Sequence, residues 1–254
     1  MLPLRLAVAL ALLTAACSLQ AEEFEAGESG RIEAVSGPLS LTMTAGETVL
    51  EVRLAELEAP DEALARDALE TLAAGRPARL AYAGQSRDRY ERALAHVYLA
   101  AEDGEAWLQA ELVSAGAARV LSHADNRTAT AMLLERETAA RAARRGLWAD
   151  PRHAVRDTHP DALAQDIGSV QLVEGRILEA TQLRSGRIYL NFGADYRTDF
   201  TVMIAAEHAD LFAQAGLTAD RLATRRVRVR GWIEDENGPM IRIDHPERLE
   251  MLED

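Results

Sequence analysis

The sequence predicts an α+β protein with two small domains, each built on short β-strands. Three features of the 254-residue chain support this: alternating segments between Gly30 and Leu57, helical spacing in three later segments, and a return to alternating segments after residue 169. Five short strands with helices inserted late are typical of a small β-barrel. We therefore expect a five-stranded OB-like β-barrel with three helices, followed by a second small, mostly β, OB-like domain.

Turn and capping residues divide the elements of the first domain. Gly37-Pro38 and Ala45-Gly46 mark turns between alternating segments, as expected for paired strands. The segment 61–74 has helical spacing, with acidic residues in its first turn and Gly75 after its last. The remaining elements are predicted as strands at 78–83 and 93–99 and helices at 106–115 and 128–145.

The C-terminal part repeats the strand pattern after a segment rich in Asp, His and Pro. That segment, 149–168, has weak periodicity, and we interpret it as a linker or an ordered strap between domains at 22–148 and 169–254. The second domain is predicted to contain strands at 170–178, 187–191, 199–204, 225–233 and 240–243 and one helix at 207–215. This pattern fits an OB-like Greek-key barrel, and it also fits other small β-barrels.

The first 21 residues have the pattern of a signal peptide. A positive charge and an apolar run at 6–13 are followed by small residues and by Cys17, the only cysteine. Ala15-Ala16-Cys17 resembles a bacterial lipoprotein cleavage box, which makes Cys17 a candidate lipidation site; the alternative is ordinary cleavage near Ala21. We therefore expect an exported protein, either a periplasmic or envelope-anchored lipoprotein or a secreted one, with membrane contact only through such a lipid.

Amino-acid composition and net charge limit which classes of function fit the chain. Apolar content of 48% and charged content of 27% are typical of a globular protein, whereas a net charge of −13 is unusual for a nucleic-acid-binding one. An acidic total is nevertheless compatible with a local basic cleft. All 28 basic residues are arginine, so every cation has a planar guanidinium that can form two hydrogen bonds to a phosphate. The six histidines lack paired metal-ligand spacing, which argues against a zinc site.

Four segments together resemble the thermonuclease (staphylococcal-nuclease-like) family. They are an arginine strand that leads into an acidic turn at 52–61, the stretch DRYERALAHVY at 88–98, a helix followed by Gly-Ala-Ala-Arg-Val at 108–120, and a helix that ends in Gly-Leu-Trp at 148. Four matches in the family's order, over roughly residues 30–150, are a specific signal, although each alone is weak. The resemblance implies a nuclease that hydrolyses phosphodiesters of nucleic acid, either DNA or RNA.

The resemblance also implies a set of site residues. Arg53 and Arg92 would be the two arginines that neutralise charge on the scissile phosphate. Glu58 would take a Ca²⁺-ligand position, since this hard cation prefers oxygen ligands. Asp61 would replace the glutamate that acts as general base, with Glu62 as a neighbour able to substitute for it. The three acidic residues are explained equally well by helix capping and the helix dipole.

Three further residues are candidates for substrate binding. Arg89 and Tyr90 match positions that flank the bound phosphate, and His123 is a candidate for stacking on a base or donating a proton. Tyr90 is more typical of a core or rim residue than of a ligand.

The sequence departs from the family pattern at the metal and base sites. Pro38 stands where the first loop of the family has a calcium-binding aspartate, and a proline side chain cannot ligate a metal. Glu58 and Asp61 each differ by one methylene from the family residue, and Ser122 and Ala124 replace aromatic residues that stack on the base. Two hypotheses follow: nucleic-acid hydrolysis at a degenerate metal site, or a catalytically inactive nuclease-fold module for binding or envelope scaffolding.

The second domain offers a weaker signal for nucleic-acid binding. Three arginines share one face of the strand predicted at 225–233, which indicates either a phosphate track or a half-buried strand with a solvated outer face. Nearby aromatic residues are candidate stacking surfaces. The residues concerned are Arg226, Arg228 and Arg230, with Tyr189, Phe192, Tyr196 and Trp232.

Overall fold

The computed structural model describes residues 24–253, which pack around two main apolar cores. One core is drawn from residues 32 to 133 and the other from residues 163 to 249. The expected signal peptide and the candidate lipidation site at Cys17 lie outside the described residues. Within the described part of the chain, every helix is too short or too polar to span a membrane.

In the first domain, five strands pair in a closed circuit. The circuit consists of β1, β2, β3, β5 and β6. All strands of the domain are β1 (Glu25–Gly37), β2 (Ser40–Ala45), β3 (Thr48–Leu54), β4 (Leu57–Glu58), β5 (Pro77–Tyr82), β6 (Ala93–Ala101), β7 (Gly104–Trp107) and β8 (Arg119–Val120), and the helices are α1 (Glu62–Ala73), α2 (Leu108–Ala115) and α3 (Thr130–Ala142). β1, β2 and β3 form an antiparallel meander, and β5 and β6 follow from the other edge of β1. Parallel pairing of β3 with β6 closes the circuit, while β7 extends β6 and β4 pairs with β8.

Local sequence accounts for these elements. In β6, alternate residues from Ala93 to Leu99 point into the core, as the strand period of two requires. Asp61 caps the first turn of α1 by accepting a hydrogen bond from the backbone N–H of Leu64 at 3.0 Å. Gly116 ends α2 in the left-handed conformation with φ of 70°. The strands, turns and helices predicted for this domain are therefore present, with bounds shifted by a few residues.

The second domain is a mostly β unit with short helices. Its elements are β9 (Val170–Arg176), β10 (Glu179–Gln182), β11 (Ile188–Asn191), β12 (Thr201–Ile204), β13 (Arg226–Asp235), β14 (Pro239–Ile243) and β15 (Leu249–Met251), with helices α4 (Pro160–Leu163), α5 (Ala209–Gln214) and α6 (Ala219–Leu222). The strand order is β10-β11-β12-β14-β13-β15, and β9 pairs with β13. All of these pairings are antiparallel except that between β12 and β14.

Two strands of this domain carry no clear signal in the sequence. The segment predicted as one strand at 170–178 ends as β9 at Arg176, and β10 begins at Glu179. β10 reads Glu-Ala-Thr-Gln and lies at the end of the strand order, so it has few apolar side chains to mark it. β15 has only three residues and was not predicted.

The segment between the domains is an ordered strap. The backbone N–H of Arg156 donates to the Leu172 carbonyl at 2.8 Å, and the N–H of Glu174 donates to the Arg156 carbonyl at 2.9 Å. The Arg156 guanidinium also pairs with Asp166 at 2.7 Å, and Leu163 is buried in the second core. These contacts fix the strap along β9.

A buried ionic network joins the two domains. Arg230 on β13 is only 1% exposed and pairs with Glu137 on α3 at 3.0 Å and with Glu250 on β15 at 2.6 Å. Its guanidinium also donates to the Val120 carbonyl of β8 at 2.8 Å. Arg228 pairs with Glu250 at 3.2 Å. The expected solvated outer face of this strand is therefore wrong at Arg230, because the first domain covers that end of it.

Candidate nucleic-acid interface

Arg53 and Arg92 come together because their strands are neighbours. Arg53 lies on β3 and Arg92 immediately precedes β6, and the parallel pairing aligns Val52 with Ala93. Burial lowers the pKa of Arg53, and the adjacent positive charge of Arg92 lowers it further, while Asp88 acts in the opposite direction. The two arginines are thus close enough to repel each other.

Asp88 holds Arg92 in place. The Asp88 carboxylate accepts hydrogen bonds from the backbone N–H groups of Tyr90 and Arg92, at 2.9 and 3.1 Å, and from the Arg92 Nε at 2.7 Å. Burial raises the pKa of Asp88, but these hydrogen bonds outweigh it, so the pKa is lowered overall. Asp88 therefore stays ionised at neutral pH and organises the loop that carries Arg92.

Tyr90 adds an exposed aromatic ring beside these cations. Tyr90 is 63% exposed, and the guanidinium carbons of Arg89 and Arg92 lie 4.7 and 5.3 Å from the centre of its ring. We call Arg53, Arg89, Tyr90 and Arg92 the arginine cluster. It combines guanidinium donors with a flat apolar surface.

Glu58 is engaged elsewhere. It pairs with Arg119 across β4 and β8, and its Oε2 accepts hydrogen bonds from Arg119 Nε at 3.0 Å and Nη2 at 2.8 Å. Arg119 is 1% exposed and donates a further bond to the Val170 carbonyl of the second domain at 2.9 Å. The candidate metal ligand therefore forms an ion pair with a largely buried arginine.

The two candidate base residues lie at the start of α1. One oxygen of Asp61 caps the helix, and Arg152 and His153 of the strap are its nearby basic residues. Glu62 is exposed in the first turn. A cleft of about 500 Å³ beside them is lined by Glu58, Arg119, His153 and Trp232 among others. Within the described residues, the charges that act on Arg53 belong to Arg92 and Asp88 and not to Glu58, Asp61 or Glu62.

The donor set does not fit a calcium site. Calcium takes six to eight oxygen ligands, whereas Pro38 offers no side-chain oxygen and Glu58 is paired with Arg119. Among residues 24–253, no three His, Cys, Asp or Glu side chains lie close enough together to hold a metal ion. The expectation of Ca²⁺ therefore rests on the family resemblance alone.

His123 lies near the second domain. Desolvation lowers its pKa, with a further contribution from the charge of Arg248, while Asp125 and Asp244 act in the opposite direction. The charged residues that act on His123 differ from those that act on Arg53, so His123 lies outside the arginine cluster.

A Ser–His–Asp arrangement lies close to His123. Ser122 Oγ is 2.8 Å from His245 Nε2, and His245 Nδ1 is 2.6 Å from Asp244 Oδ1, which is the order of contacts in a hydrolase triad. Ser122 and His245 are both completely buried, however, so no substrate reaches the hydroxyl in this conformation. The arrangement acts as a further polar connection between the domains.

Two important residues were not among the sequence candidates. Asp88 stands four residues before Arg92 in the DRYER stretch, a spacing that could have signalled the contact. Arg119 follows Gly-Ala-Ala in the third matched segment, but only the pairing of β4 with β8 reveals its contact with Glu58.

Comparison with known proteins supports the resemblance for part of the chain. Residues 51–150 match the family model described as staphylococcal nuclease homologue. No curated protein matches the chain with significant similarity. The match begins within β3, so β1 and β2, which complete the circuit of strands, precede the matched segment.

Proposed function

From the premise that residues 51–150 form a staphylococcal nuclease homologue domain, we propose that this protein binds single-stranded nucleic acid through the arginine cluster. Arginine guanidinium groups form charge-assisted hydrogen bonds with phosphate oxygens. An exposed aromatic ring beside them offers a surface on which an unpaired base can stack. Arg53, Arg92, Arg89 and Tyr90 supply both features at one place.

The observation that carries the proposal is that Arg53 lacks an ion-pair partner among the described residues. In the described chain, no carboxylate lies within ion-pair distance of its guanidinium, and its neighbour Arg92 has the same charge. By contrast, Arg119 and Arg230 each have a carboxylate partner. A bound phosphate would relieve the repulsion between Arg53 and Arg92, so this surface favours an anion even though the whole protein is acidic.

Hydrolysis is the second candidate function. It is favoured by the retained pair of arginines, which suits the negative charge that develops on a phosphodiester in its transition state. The misfit of the calcium donors and the engagement of Glu58 by Arg119 favour binding without calcium-dependent cleavage.

Fluorescence polarisation with labelled 12-nucleotide DNA and RNA strands tests the proposal. We expect Arg53→Ala and Arg92→Ala each to weaken binding by about 10-fold or more, since a hydrogen bond to a charged group contributes about 1.5–3 kcal/mol. Arg184→Ala is the matched control, because Arg184 is an exposed cation in the second domain. Binding should also weaken with salt as phosphate contacts require. Equal losses of oligonucleotide affinity in all three variants would contradict the proposal. Absence of binding by the folded wild-type protein would also contradict it.

The same samples decide between binding and hydrolysis. Each strand is incubated with the wild-type protein in calcium and then in excess chelator, and its length is read on a gel. Intact strands in both conditions support the binding function. Calcium-dependent cleavage that disappears in Arg92→Ala would instead establish the hydrolytic alternative.

We also propose export and an OB-like second domain. Export is supported by the pattern of residues 1–21, and incorporation of labelled palmitate into wild type but not Cys17→Ser would support a lipid anchor. The OB-like assignment is supported by the predominance of short antiparallel strands in the second domain. An experimental structure with the strands paired in another topology would exclude that assignment.

A further inference from the structure

The second domain carries a row of mostly polar side chains on one face of its sheet. Strand register places Glu179 opposite Asn191, Asn191 opposite Thr201, and Thr201 opposite Met240, so these side chains share one face of four strands. Tyr189 lies two residues from Asn191 and therefore on the same face. The opposite face is apolar and faces the core, as shown by the buried residues Leu190, Val202 and Ile241.

Two loops border this row of side chains and form the walls of a cavity. Tyr196, which is 57% exposed, projects from the loop between β11 and β12, and Asn237 lies in the turn between β13 and β14. The result is a cavity of about 490 Å³ over the four strands. This volume is within the range of sites for small organic ligands.

The loop that carries Tyr196 is held by its own hydrogen bonds. Asp199 Oδ2 accepts from the backbone N–H of Asp195 at 2.8 Å, and Asp195 Oδ1 accepts from the N–H of Arg197 at 3.1 Å. At the facing turn, Gly238 has φ of 87°, and an added Cβ would overlap the carbonyl of Thr198. The two walls therefore touch and are fixed before any ligand binds, which reduces the ordering cost of binding.

The chemistry of the lining selects the class of ligand. It contains two tyrosines, two asparagine amides, two threonine hydroxyls and the apolar side chains of Leu183 and Met240, with Glu179 as its one carboxylate and no arginine or histidine among the described residues that form it. Such groups both donate and accept hydrogen bonds, as the hydroxyls of a sugar do. An aromatic face attracts the weakly positive C–H edges of a pyranose ring.

We propose that this cavity binds a neutral saccharide, with Tyr196 and Tyr189 packing against the ring and Asn191 and Glu179 hydrogen-bonding its hydroxyls. A nucleic-acid strand is disfavoured here, because the lining has a negative charge and no cation to meet a phosphate. Arg197 is the nearby cation, and its guanidinium carbon lies 5.4 Å from the centre of the Tyr196 ring. The site is separate from the arginine cluster and does not depend on the function proposed for it.

Saturation-transfer NMR and titration calorimetry with maltose, cellobiose and N,N′-diacetylchitobiose test the site on the full mature chain. We expect saturable binding of at least one of these disaccharides, weakened about 10-fold or more by Tyr196→Ala and by Asn191→Ala. Tyr196→Phe should retain most of the affinity, since it keeps the ring. Trp232→Ala is the matched control, because Trp232 is an exposed aromatic residue on β13 that does not line the cavity.

The outcomes are separable from those for the arginine cluster. Thermal unfolding first shows that each variant is folded. Absence of saturable binding by all three disaccharides, or an equal loss in Trp232→Ala, would overturn the proposal. So would an oligonucleotide that competes with the sugar and depends on Tyr196, because it would identify a base-stacking site instead.

Discussion

Replacing Arg230 by alanine is expected to lower the free energy of unfolding by about 3–5 kcal/mol, the usual cost of removing one partner from a buried ion pair. Arg230 is 1% exposed and contacts Glu137, Glu250 and the Val120 carbonyl. Its removal leaves the buried Glu137 with Arg141, at 3.3 Å, as its one remaining ionic partner among residues 24–253. Urea denaturation followed by far-UV circular dichroism measures the loss.

Arg242→Ala is the control for this substitution. Arg242 pairs with Glu234 at 2.8 Å and with Glu236, but its side chain is 43% exposed. Exposed ion pairs contribute about 0–1 kcal/mol, so the control should cost much less than Arg230→Ala. Comparable losses in the two variants would show that the network does not stabilise the contact between the domains.

The response to acid gives an independent readout of the same network. Burial raises the pKa of Glu137, but the charge and hydrogen bonds of Arg230 outweigh it, so the folded-state pKa is lowered. Stability from this group is therefore fully present above the unfolded pKa of about 4.3 and lost as pH falls through the lowered folded value. Glu137→Gln should flatten the dependence of stability on pH below about 4.5. If the slope of stability against pH is the same in Glu137→Gln as in the wild type, Glu137 does not contribute to the acid response.

Replacing Gly84 by alanine is expected to cost about 2–4 kcal/mol and to weaken oligonucleotide binding, because strain and steric overlap act together. Gly84 has φ of 91°, and an added Cβ would overlap the backbone carbonyl of Asp125. The overlapping atoms of Asp125 belong to the backbone and not to a flexible side chain, so the backbone must move. The loop that begins at Gly84 carries Asp88 and Arg92, and its displacement should disturb the arginine cluster.

Gly46→Ala separates the two causes. Gly46 has φ of 62°, but an added Cβ would meet nothing within 4 Å. In this control, the free energy of unfolding should fall by about 1–2 kcal/mol, because alanine disfavours the left-handed backbone conformation. Oligonucleotide binding should be unchanged. Urea denaturation and fluorescence polarisation measure both quantities. A Gly84→Ala variant that matches Gly46→Ala in stability and binding would show that the loop is free to adjust.

Much of the fold was predictable because its signals are local. Turns at Gly37 and Gly46, the acidic start of α1 and the glycine after α2 all lie where the structure has them. These features depend on backbone conformation and on side-chain period within a few residues. The proximity of Arg53 and Arg92 was implied by the family resemblance and follows from the pairing of β3 with β6.

The partners of the charged residues were decided by tertiary structure. Glu58 meets Arg119 only when β4 pairs with β8, and Glu137 meets Arg230 only when the second domain packs against α3. These pairs are separated by 61 and 93 residues in the chain. Sequence alone determined which residues carry charge and which segments form strands and helices. The three-dimensional packing decided which charges have a carboxylate partner and which, like Arg53 among the described residues, have none, because residues far apart in the chain meet only when the domains fold and pack together.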